Sequence, residues 1–217
     1  MDYRNIIGNT EQFVKSTLKE AEGGHDWWHI QRVRNLAMHI GAKENADLFV
    51  VELGALLHDI ADSKFHGGNE EIGPRKAKEF LQQQNLKHAI IDHIEQIVRH
   101  VSFKGEKHKQ DFRSKELDVI QDADRLDALG AIGIARAFNY GGHAGRLIYD
   151  PDVKPRVNMS KEEYKKNISP TINHFYEKLL LLKNRMNTPT GKALAGRRHQ
   201  YMEDFLEEFF GEWNGER

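Results

Sequence analysis

Two side chains that can ionise or bind a metal, His58 and Asp59, stand side by side near the end of a strongly apolar stretch, Leu48–Asp62. The apolar residues of this stretch point in nearly every direction on a helical projection, which indicates a buried helix. Burying an ionised carboxylate is costly unless another group pairs with it. The usual remedies are a cation, a hydrogen-bond network or a bound metal ion. The sequence therefore raises the question of which groups face His58 and Asp59.

His29 and Asp124 are further candidates for the same buried point. Each lies in a predicted helix beside core residues: His29 precedes Ile30, and Asp124 lies between Ile120 and Leu126. Three helices could therefore bring two imidazoles and two carboxylates together. Such a mixed nitrogen and oxygen ligand set suits manganese, iron(II), cobalt, nickel or zinc. From the residues alone, a metal site and a structural ion-pair network are equally good interpretations.

The elements that must position these side chains are predicted to be helices. Apolar residues recur with helical spacing, and Asp26 and Ser114 stand where a side chain can cap a first turn. Gly41 stands where a glycine often follows the end of a helix. The pattern predicts helices over residues 10–22, 27–40, about 46–62, 70–84, 87–101, 115–129, 131–138, 169–186 and 190–210. Residues 139–160 are rich in glycine and proline and are predicted to form a loop. No segment has a convincing strand pattern, so the predicted fold class is all-α.

Composition excludes several classes of protein. The chain has 217 residues, a net charge of −1 and no cysteine, so disulfides, thiolate metal sites and a cysteine nucleophile are excluded. A charge this close to neutral gives no overall field that would recruit a nucleic acid polymer or an anionic membrane. No run reaches the roughly 18 apolar residues of a membrane span, and residues 1–13 lack a signal-peptide pattern. We therefore expect a cytoplasmic protein.

Three motifs occur in a fixed order along the chain. They are His29-x-x-Arg32-Val33, Leu57-His58-Asp59-Ile60 and Asp122-Ala123-Asp124-Arg125-Leu126. Together they resemble the HD-domain superfamily of metal-dependent phosphohydrolases, over about residues 20–145. The segments HDIADSKFHGG, RHVSFKG, QDADRLDALGAIGIARAFNYGG and HAGR further resemble a bacterial subgroup associated with nucleoside triphosphate pyrophosphohydrolase activity.

The resemblance implies a fold, a metal site and a reaction. The fold is a single all-helical HD-type domain over residues 1–217, with a central metal site and the C-terminal helices, 169–213, packed on the motif core. The implied metal ligands are His29, His58, Asp59 and Asp124. We expect Mn²⁺, with Mg²⁺, Co²⁺, Ni²⁺, Fe²⁺ and Zn²⁺ as alternatives. The implied reaction is hydrolysis of a (deoxy)nucleoside triphosphate to a monophosphate and pyrophosphate by metal-activated water.

Two carboxylates are candidates for transferring a proton or positioning the attacking water. Asp62 follows His58 by four residues and Asp59 by three, which predicts the same helical face. Many HD phosphohydrolases have Glu at this position, and Asp is one methylene shorter. Asp127 follows Asp124 by three residues. For both candidates, helix capping or ion pairing is an equally good interpretation.

The phosphates of such a substrate need cations and hydrogen-bond donors. Lys64, Arg125 and Lys104 are the candidates, because Arg binds phosphate oxygens in pairs and Lys offers a mobile charge. Ordinary surface charges would look the same in the sequence. His93 and His100 lie one heptad apart on a predicted helix, which makes them candidates for a second metal site. The subgroup resemblance favours one metal, so we predict that His100 contacts the substrate or supports a metal ligand.

Three functions remain open. The first is the pyrophosphohydrolase, the second is a nucleotide monophosphatase or a phosphodiesterase, and the third is a non-catalytic helical module that binds nucleotides or a partner protein. Four polar residues converging in a core without an ion would be costly, which disfavours the third. The amphipathic C-terminal segment GRRHQYMEDFLEEFF is predicted to pack against the bundle, with a homodimer contact as the alternative.

Overall fold

The computed structural model describes residues 3–19, 26–61, 69–101, 111–156, 159 and 169–217. Within these ranges the regular structure is helical and no strand occurs, which confirms the all-α prediction. The α-helices are α1 (Tyr3–Thr17), α2 (Trp27–Glu44), α3 (Leu48–Leu57), α4 (Ile72–Gln82), α5 (His88–His100), α6 (Lys115–Asp127), α7 (Gly130–His143), α8 (Thr171–Glu177) and α9 (Pro189–Trp213). A 3₁₀ helix, Leu179–Arg185, lies between α8 and α9.

Side-chain caps begin the helices that carry the candidate site. Asp26 begins α2, where its Oδ1 accepts a hydrogen bond of 2.9 Å from the backbone N–H of His29. Ser114 begins α6, where its Oγ accepts from the backbone N–H of Leu117 at 3.1 Å. Both caps confirm predictions. Asp47 caps α3 by accepting from two backbone N–H groups. These caps satisfy N–H groups that would otherwise lack a helical partner.

α2 extends beyond its predicted end. Gly41 is buried inside the helix, which continues to Glu44. The residue that ends the helix is Asn45, whose φ of 53° is left-handed and whose backbone N–H donates to the carbonyl oxygen of Gly41. Asn takes this conformation more readily than most residues, so it can replace the usual glycine. The prediction that Gly41 follows the helix is therefore wrong.

α3 is shorter than predicted. It ends at Leu57 rather than near residue 62, so His58 and Asp59 lie in the turn that follows it. The last turns of α3 lie deep in the core. A Cβ added at Gly54 would lie 2.6 Å from Cδ1 of Ile120 on α6, so this glycine permits a close approach that any side chain would block. The close packing positions the end of α3, and with it His58.

The glycine-rich segment predicted as a loop begins as a helix, because α7 continues to His143 rather than ending near Phe138. A Cβ added at Gly141 would lie 2.1 Å from Oγ1 of Thr171, so this glycine lets α7 pack against the start of α8. The helix predicted over residues 169–186 is two elements, α8 and the 3₁₀ helix. α1 begins at Tyr3 rather than near residue 10.

The chain divides into two compact units, Met1–Ala123 and Asp124–Arg217, and the division falls within α6. In the first unit α3 packs against α1, α2 and α5, and α4 packs against α5. In the second unit α9 packs against α7 and the 3₁₀ helix, and α8 packs against the same two elements. The single domain expected from the sequence stays a prediction. None of the described helices is long and apolar enough to cross a membrane.

Candidate metal centre

His29 reaches the centre from the first turn of α2. The cap formed by Asp26 fixes the start of this helix three residues earlier. Ile30 and Val33 anchor the same helix in the core, each with no exposed surface. His29 is 2% exposed, so its imidazole is almost completely shielded from water. Any role for this ring must therefore involve a partner inside the protein.

His58 reaches the centre from the end of α3 and is 7% exposed. Its Nδ1 lies 2.7 Å from the backbone carbonyl oxygen of Ala55. A carbonyl oxygen can only accept a hydrogen bond, so Nδ1 must carry the proton. In the neutral ring the lone pair is then on Nε2. A backbone carbonyl that fixes the tautomer in this way is typical of a metal-ligating histidine.

The two rings present the same nitrogen to one point. Nε2 of His58 lies 3.3 Å from Nε2 of His29, and the rings meet edge to face at 64° with centroids 5.3 Å apart. Two nitrogens bound at about 2.05 Å to one tetrahedral ion would lie about 3.3 Å apart. The observed separation therefore fits two imidazoles that share a divalent ion. A hydrogen bond from the ring of His29 to that of His58 is the alternative arrangement.

Asp59 adds an oxygen to the two nitrogens. Each of His29, His58 and Asp59 offers a ligand atom within 4.8 Å of the others. Among the described residues this is the one group of three or more histidines and acids so arranged. Nitrogen and carboxylate donors together suit a borderline divalent ion. The donor set is therefore chemically suited to a metal, and His29, His58 and Asp59 form a candidate metal site within the first unit.

Comparisons with known proteins agree with this geometry. The profile of the HD domain family matches residues 27–129. The chain is 37% identical to YpgQ of Bacillus subtilis (strain 168) over 195 residues, which cover 89% of this chain and 87% of that protein. A crystal structure of an HD-superfamily hydrolase from Bacillus thuringiensis is 42% identical, with a TM-score of 0.79 and 98% of both chains covered.

The chain belongs to the HD superfamily. It is a hydrolase, and proteins of its family bind divalent metal ions. Membership of this family supports the assignment of the chain as a metal-dependent phosphohydrolase. A further related structure is that of Bacillus subtilis YpgQ in complex with ADP. It is 34% identical to this HD-domain protein, with a TM-score of 0.76 and coverage of 96% and 95% of the two chains.

Asp124, the predicted fourth ligand, lies on α6 and is half-buried. It is the first residue of the second unit, whereas the other three lie in the first unit. Two other acids on the same helix, Asp122 and Asp127, are almost completely buried. Ligation by Asp124 is implied by the motif and stays a prediction.

Asp127 takes part in an ion pair of the second unit. Its Oδ2 accepts a hydrogen bond of 2.6 Å from Nη1 of Arg136, and the same Nη1 lies 3.3 Å from its backbone carbonyl oxygen. This contact corresponds to the ion-pair alternative stated for Asp127. Arg125, predicted to bind phosphate, donates from Nη1 to the carbonyl oxygen of Arg185. The catalytic role of Asp127 and the phosphate contact of Arg125 stay predictions.

His100 is the last residue of α5 and resembles His58 in one respect. Its Nδ1–H donates to the carbonyl oxygen of Gln96 at 2.8 Å, which leaves Nε2 as the acceptor of the neutral ring. Its own carbonyl oxygen accepts from Nε2 of Gln121 at 2.8 Å, and its ring lies 5.7 Å from that of Phe112. Nε2 of His93 bonds with Oγ of Ser114 at 2.9 Å. The metal-type cluster found among the described residues includes neither histidine.

Three predicted site residues, Asp62, Lys64 and Lys104, lie outside the described residues. The helical-face argument for Asp62 is wrong in its premise, because α3 ends at Leu57. Sequence reasoning also missed two supporting groups, the carbonyl of Ala55 and the guanidinium of Arg136. A histidine at the end of an apolar helix is a signal for the first contact, since its ring can reach a carbonyl one turn earlier.

Proposed function

We propose that this HD-domain hydrolase converts a (deoxy)nucleoside triphosphate to a monophosphate and pyrophosphate with the help of a divalent metal. The observation that carries the proposal is the cluster of His29, His58 and Asp59, each of which offers a ligand atom within 4.8 Å of the others. The sequence segments that resemble the pyrophosphohydrolase subgroup supply the choice of bond. Relatedness to YpgQ, whose structure holds ADP, supports a nucleotide as the ligand.

In this proposal the protein holds a divalent ion with four side chains, His29, His58, Asp59 and Asp124. Lewis acidity and a lowered pKa of water are what such an ion supplies when bound. The carbonyl of Ala55 keeps Nε2 of His58 free of a proton, so the ring needs no tautomer change before it binds. Mn²⁺ is the ion we propose, because mixed nitrogen and oxygen ligands suit it.

The remaining roles are assigned by motif position. Asp62 is proposed to orient the attacking water and accept its proton, with Asp127 as the second candidate. Lys64, Arg125, Lys104 and His100 are proposed to contact the phosphates. For Arg125, this requires that its side chain leaves the carbonyl oxygen of Arg185, to which it donates in this structure. We also propose a cytoplasmic location, because a chain without cysteine fits a reducing compartment.

Product analysis tests the proposal directly. The protein and its Asp124→Ala variant would be incubated with a panel of nucleotides and Mn²⁺, and pyrophosphate and orthophosphate would be measured separately. We expect pyrophosphate from triphosphates, with a loss of at least about 100-fold in the variant because one metal ligand is missing. Asp152→Ala, which removes an exposed acid of the second unit, is a control that should keep the activity.

Other outcomes would select a different function. Orthophosphate as the first product, or cleavage of a phosphodiester, would replace the proposal with the phosphatase or phosphodiesterase reading. Metal binding without turnover of any nucleotide would favour a non-catalytic binding module. Equal activity of the wild type and Asp124→Ala would remove Asp124 from the metal site.

A further inference from the structure

The non-helical segment that follows α7 is tied to α8 by hydrogen bonds. The backbone N–H of Ile172 donates to the carbonyl oxygen of Ile148 at 3.0 Å. Further along the segment, Nδ2 of Asn173 donates to the carbonyl oxygen of Val153 at 2.9 Å. All four residues belong to the second unit. These contacts hold the segment at one position along α8, although it has no regular structure of its own.

A cavity of about 200 Å³ lies between this segment, α8 and α9. Three aromatic rings line it: Tyr149 from the segment, Tyr176 from α8 and Phe210 from α9. The rings of Tyr149 and Phe210 meet edge to face at 77°, with centroids 5.3 Å apart. An apolar protein cavity of about 150 Å³ binds benzene. This larger cavity therefore has room for a planar ring system somewhat larger than benzene.

One side chain in the cavity wall, Asn173, is polar and only 1% exposed. Its amide orientation is fixed, because the carbonyl of Val153 can only accept and must therefore face Nδ2. Oδ1 is the other polar atom of the side chain, and no group in the described part of the chain donates to it. A buried acceptor without a donor is costly. A ligand with a hydrogen-bond donor would therefore be favoured at this wall.

Two tyrosines add phenol hydroxyls to the same cavity. Neither the hydroxyl of Tyr149 nor that of Tyr176 forms a hydrogen bond within the ranges that the structure describes. Burial, followed by the nearby Tyr149, raises the pKa of Tyr176, so this hydroxyl keeps its proton at neutral pH. The cavity thus combines aromatic faces, hydroxyl donors and a buried amide acceptor. Such a set suits a planar heterocycle better than a hydrocarbon, because a hydrocarbon would leave the polar groups unpaired.

We propose that this cavity binds the nucleobase of a nucleoside, with its faces against the aromatic rings and a base N–H donating to Oδ1 of Asn173. A phenol hydroxyl donates to a ring nitrogen of the base. The planar ring and its N–H donor follow from the cavity alone. The choice of a nucleobase among such heterocycles rests on the proposed nucleotide function.

Binding of nucleosides to the full chain tests the proposal. Adenosine and guanosine, whose bases carry N–H donors, would be compared with purine riboside, whose base carries none, by calorimetric titration in the presence of a metal chelator. We expect adenosine or guanosine to bind at least about tenfold more tightly than purine riboside, because the latter leaves Oδ1 of Asn173 unpaired. Equal affinity for all three nucleosides would overturn the assigned contact.

Variants of the segment test the location. Val153 lines the cavity and is 38% exposed, so Val153→Trp fills the cavity without removing a buried side chain. It should raise the nucleoside dissociation constant at least about tenfold. Leu147→Trp is the matched control, since Leu147 is an exposed apolar residue of the same segment and does not line the cavity. Tyr149→Ala, which removes one aromatic wall, should weaken binding about tenfold. Circular dichroism would show that each variant keeps its helical content.

Product analysis separates this proposal from the proposed function. Nucleoside binding without hydrolysis of any nucleotide would leave the cavity assignment standing and remove the proposed reaction. Hydrolysis by a protein that binds no nucleoside, even at millimolar concentration, would overturn the cavity assignment alone. Equal losses of affinity in Val153→Trp and Leu147→Trp would also overturn it.

The hydrolysis kinetics of Val153→Trp identify the source of the base. A raised KM for the triphosphate would support the cavity as the site for the base of the substrate. An unchanged KM together with weakened nucleoside binding would support it as a site for a separate nucleoside.

Discussion

The two units of this protein bury polar side chains in different ways. In the second unit, buried carboxylates accept hydrogen bonds from donors of the same unit. Asp127 is 1% exposed and accepts from Arg136 at 2.6 Å. Glu177 accepts from the hydroxyl of Ser169 at 3.0 Å and from the backbone N–H of Arg156 at 3.2 Å. Such pairs satisfy groups that would otherwise be costly to bury.

In the first unit, by contrast, two buried imidazoles direct the same ring nitrogen towards one another. Nε2 of His58 faces Nε2 of His29 at 3.3 Å, and the carbonyl of Ala55 fixes the tautomer that makes Nε2 of His58 an acceptor. Because Nε2 of His58 carries a lone pair, the short separation requires either a proton on Nε2 of His29 or a cation between the two nitrogens. The comparison teaches that Asp127 and Glu177 of the second unit are matched by donors of the protein itself, whereas His29 and His58 of the first unit are arranged so that one ion can join them.

The largest expected effect comes from His58→Ala. We expect the affinity for Mn²⁺ to fall at least about 100-fold, because the variant loses a ligand of an ion already held by few side chains. Hydrolysis should fall by more than about 1000-fold if the metal supplies the chemistry. Without metal, the free energy of unfolding of this variant should change much less than it would after removal of one partner of a buried ion pair. The reason is that the loss of a neutral imidazole leaves no buried charge without its counter-charge. Calorimetric titration with Mn²⁺ and urea denaturation measure these quantities.

His100→Ala is the matched control for His58→Ala. His100 is the last residue of α5 and His58 directly follows the last residue of α3. Both donate from Nδ1 to a carbonyl oxygen of the preceding turn. His100 is half-buried, and its ring lies 5.7 Å from that of Phe112, which offers no ligand atom. We expect its loss to leave the Mn²⁺ affinity nearly unchanged and to raise KM for the nucleotide. Equal losses of metal affinity in both variants would contradict the distinction.

The second prediction concerns the ion pair of the second unit. Arg136→Met removes the cation that donates to the almost completely buried carboxylate of Asp127, and removal of one partner of a buried pair typically costs about 3 kcal/mol or more. We expect the free energy of unfolding to fall by about 3 kcal/mol, measured by urea denaturation.

The double variant Arg136→Met with Asp127→Asn should recover at least half of this loss, because the buried carboxylate that lost the hydrogen bond from Arg136 is then replaced by a neutral amide. If the double variant were as unstable as the single one, the carboxylate would not be the source of the cost. The comparison between the units would then fail on its structural side.

Sequence reasoning succeeded where the cause is local. The caps formed by Asp26 and Ser114 depend on residues within three positions, so their side-chain types were enough to find them. The family motifs pointed to His29, His58 and Asp59, and the structure brings these three side chains together. Their role as metal ligands stays a prediction. The end of α3 was harder to predict, because an apolar helix and the turn after it look alike when both are buried.

Other features depend on contacts between distant parts of the chain. Arg125 donates to Arg185, sixty residues later, and no local pattern marks that carbonyl as its partner. Asp127 and Arg136 are joined across the boundary between α6 and α7, a spacing that is not a helical repeat. The glycines at 54 and 141 were visible in the sequence, but what each lets approach is known only from the fold.

The third prediction uses a half-buried histidine of the second unit, His174. Burial, followed by the positive charges of Lys178 and Arg146, lowers the pKa of His174 to about 3 from its ordinary value of 6.5. The unfolded chain binds a proton as the pH falls below about 6.5, whereas the folded chain does so only near the lowered pKa. The stability that depends on neutral His174 is therefore complete above about pH 6.5 and is lost progressively between that pH and about 3.

Between pH 7 and pH 5 this linkage should lower the free energy of unfolding by about 2 kcal/mol, and His174→Gln should remove that part of the pH dependence. Urea denaturation of both proteins at the two pH values isolates the difference, because all other titrating groups are shared. Mn²⁺ affinity at neutral pH should be the same in both, since His174 offers no ligand to the first-unit cluster.

If the wild type and His174→Gln lost equal stability, His174 would be accessible to protons in the folded state, and burial of a neutral imidazole would not be part of what stabilises the second unit. If instead His174→Gln weakened Mn²⁺ binding, the assignment of ligand chemistry to the first unit and folding to the second would be too simple.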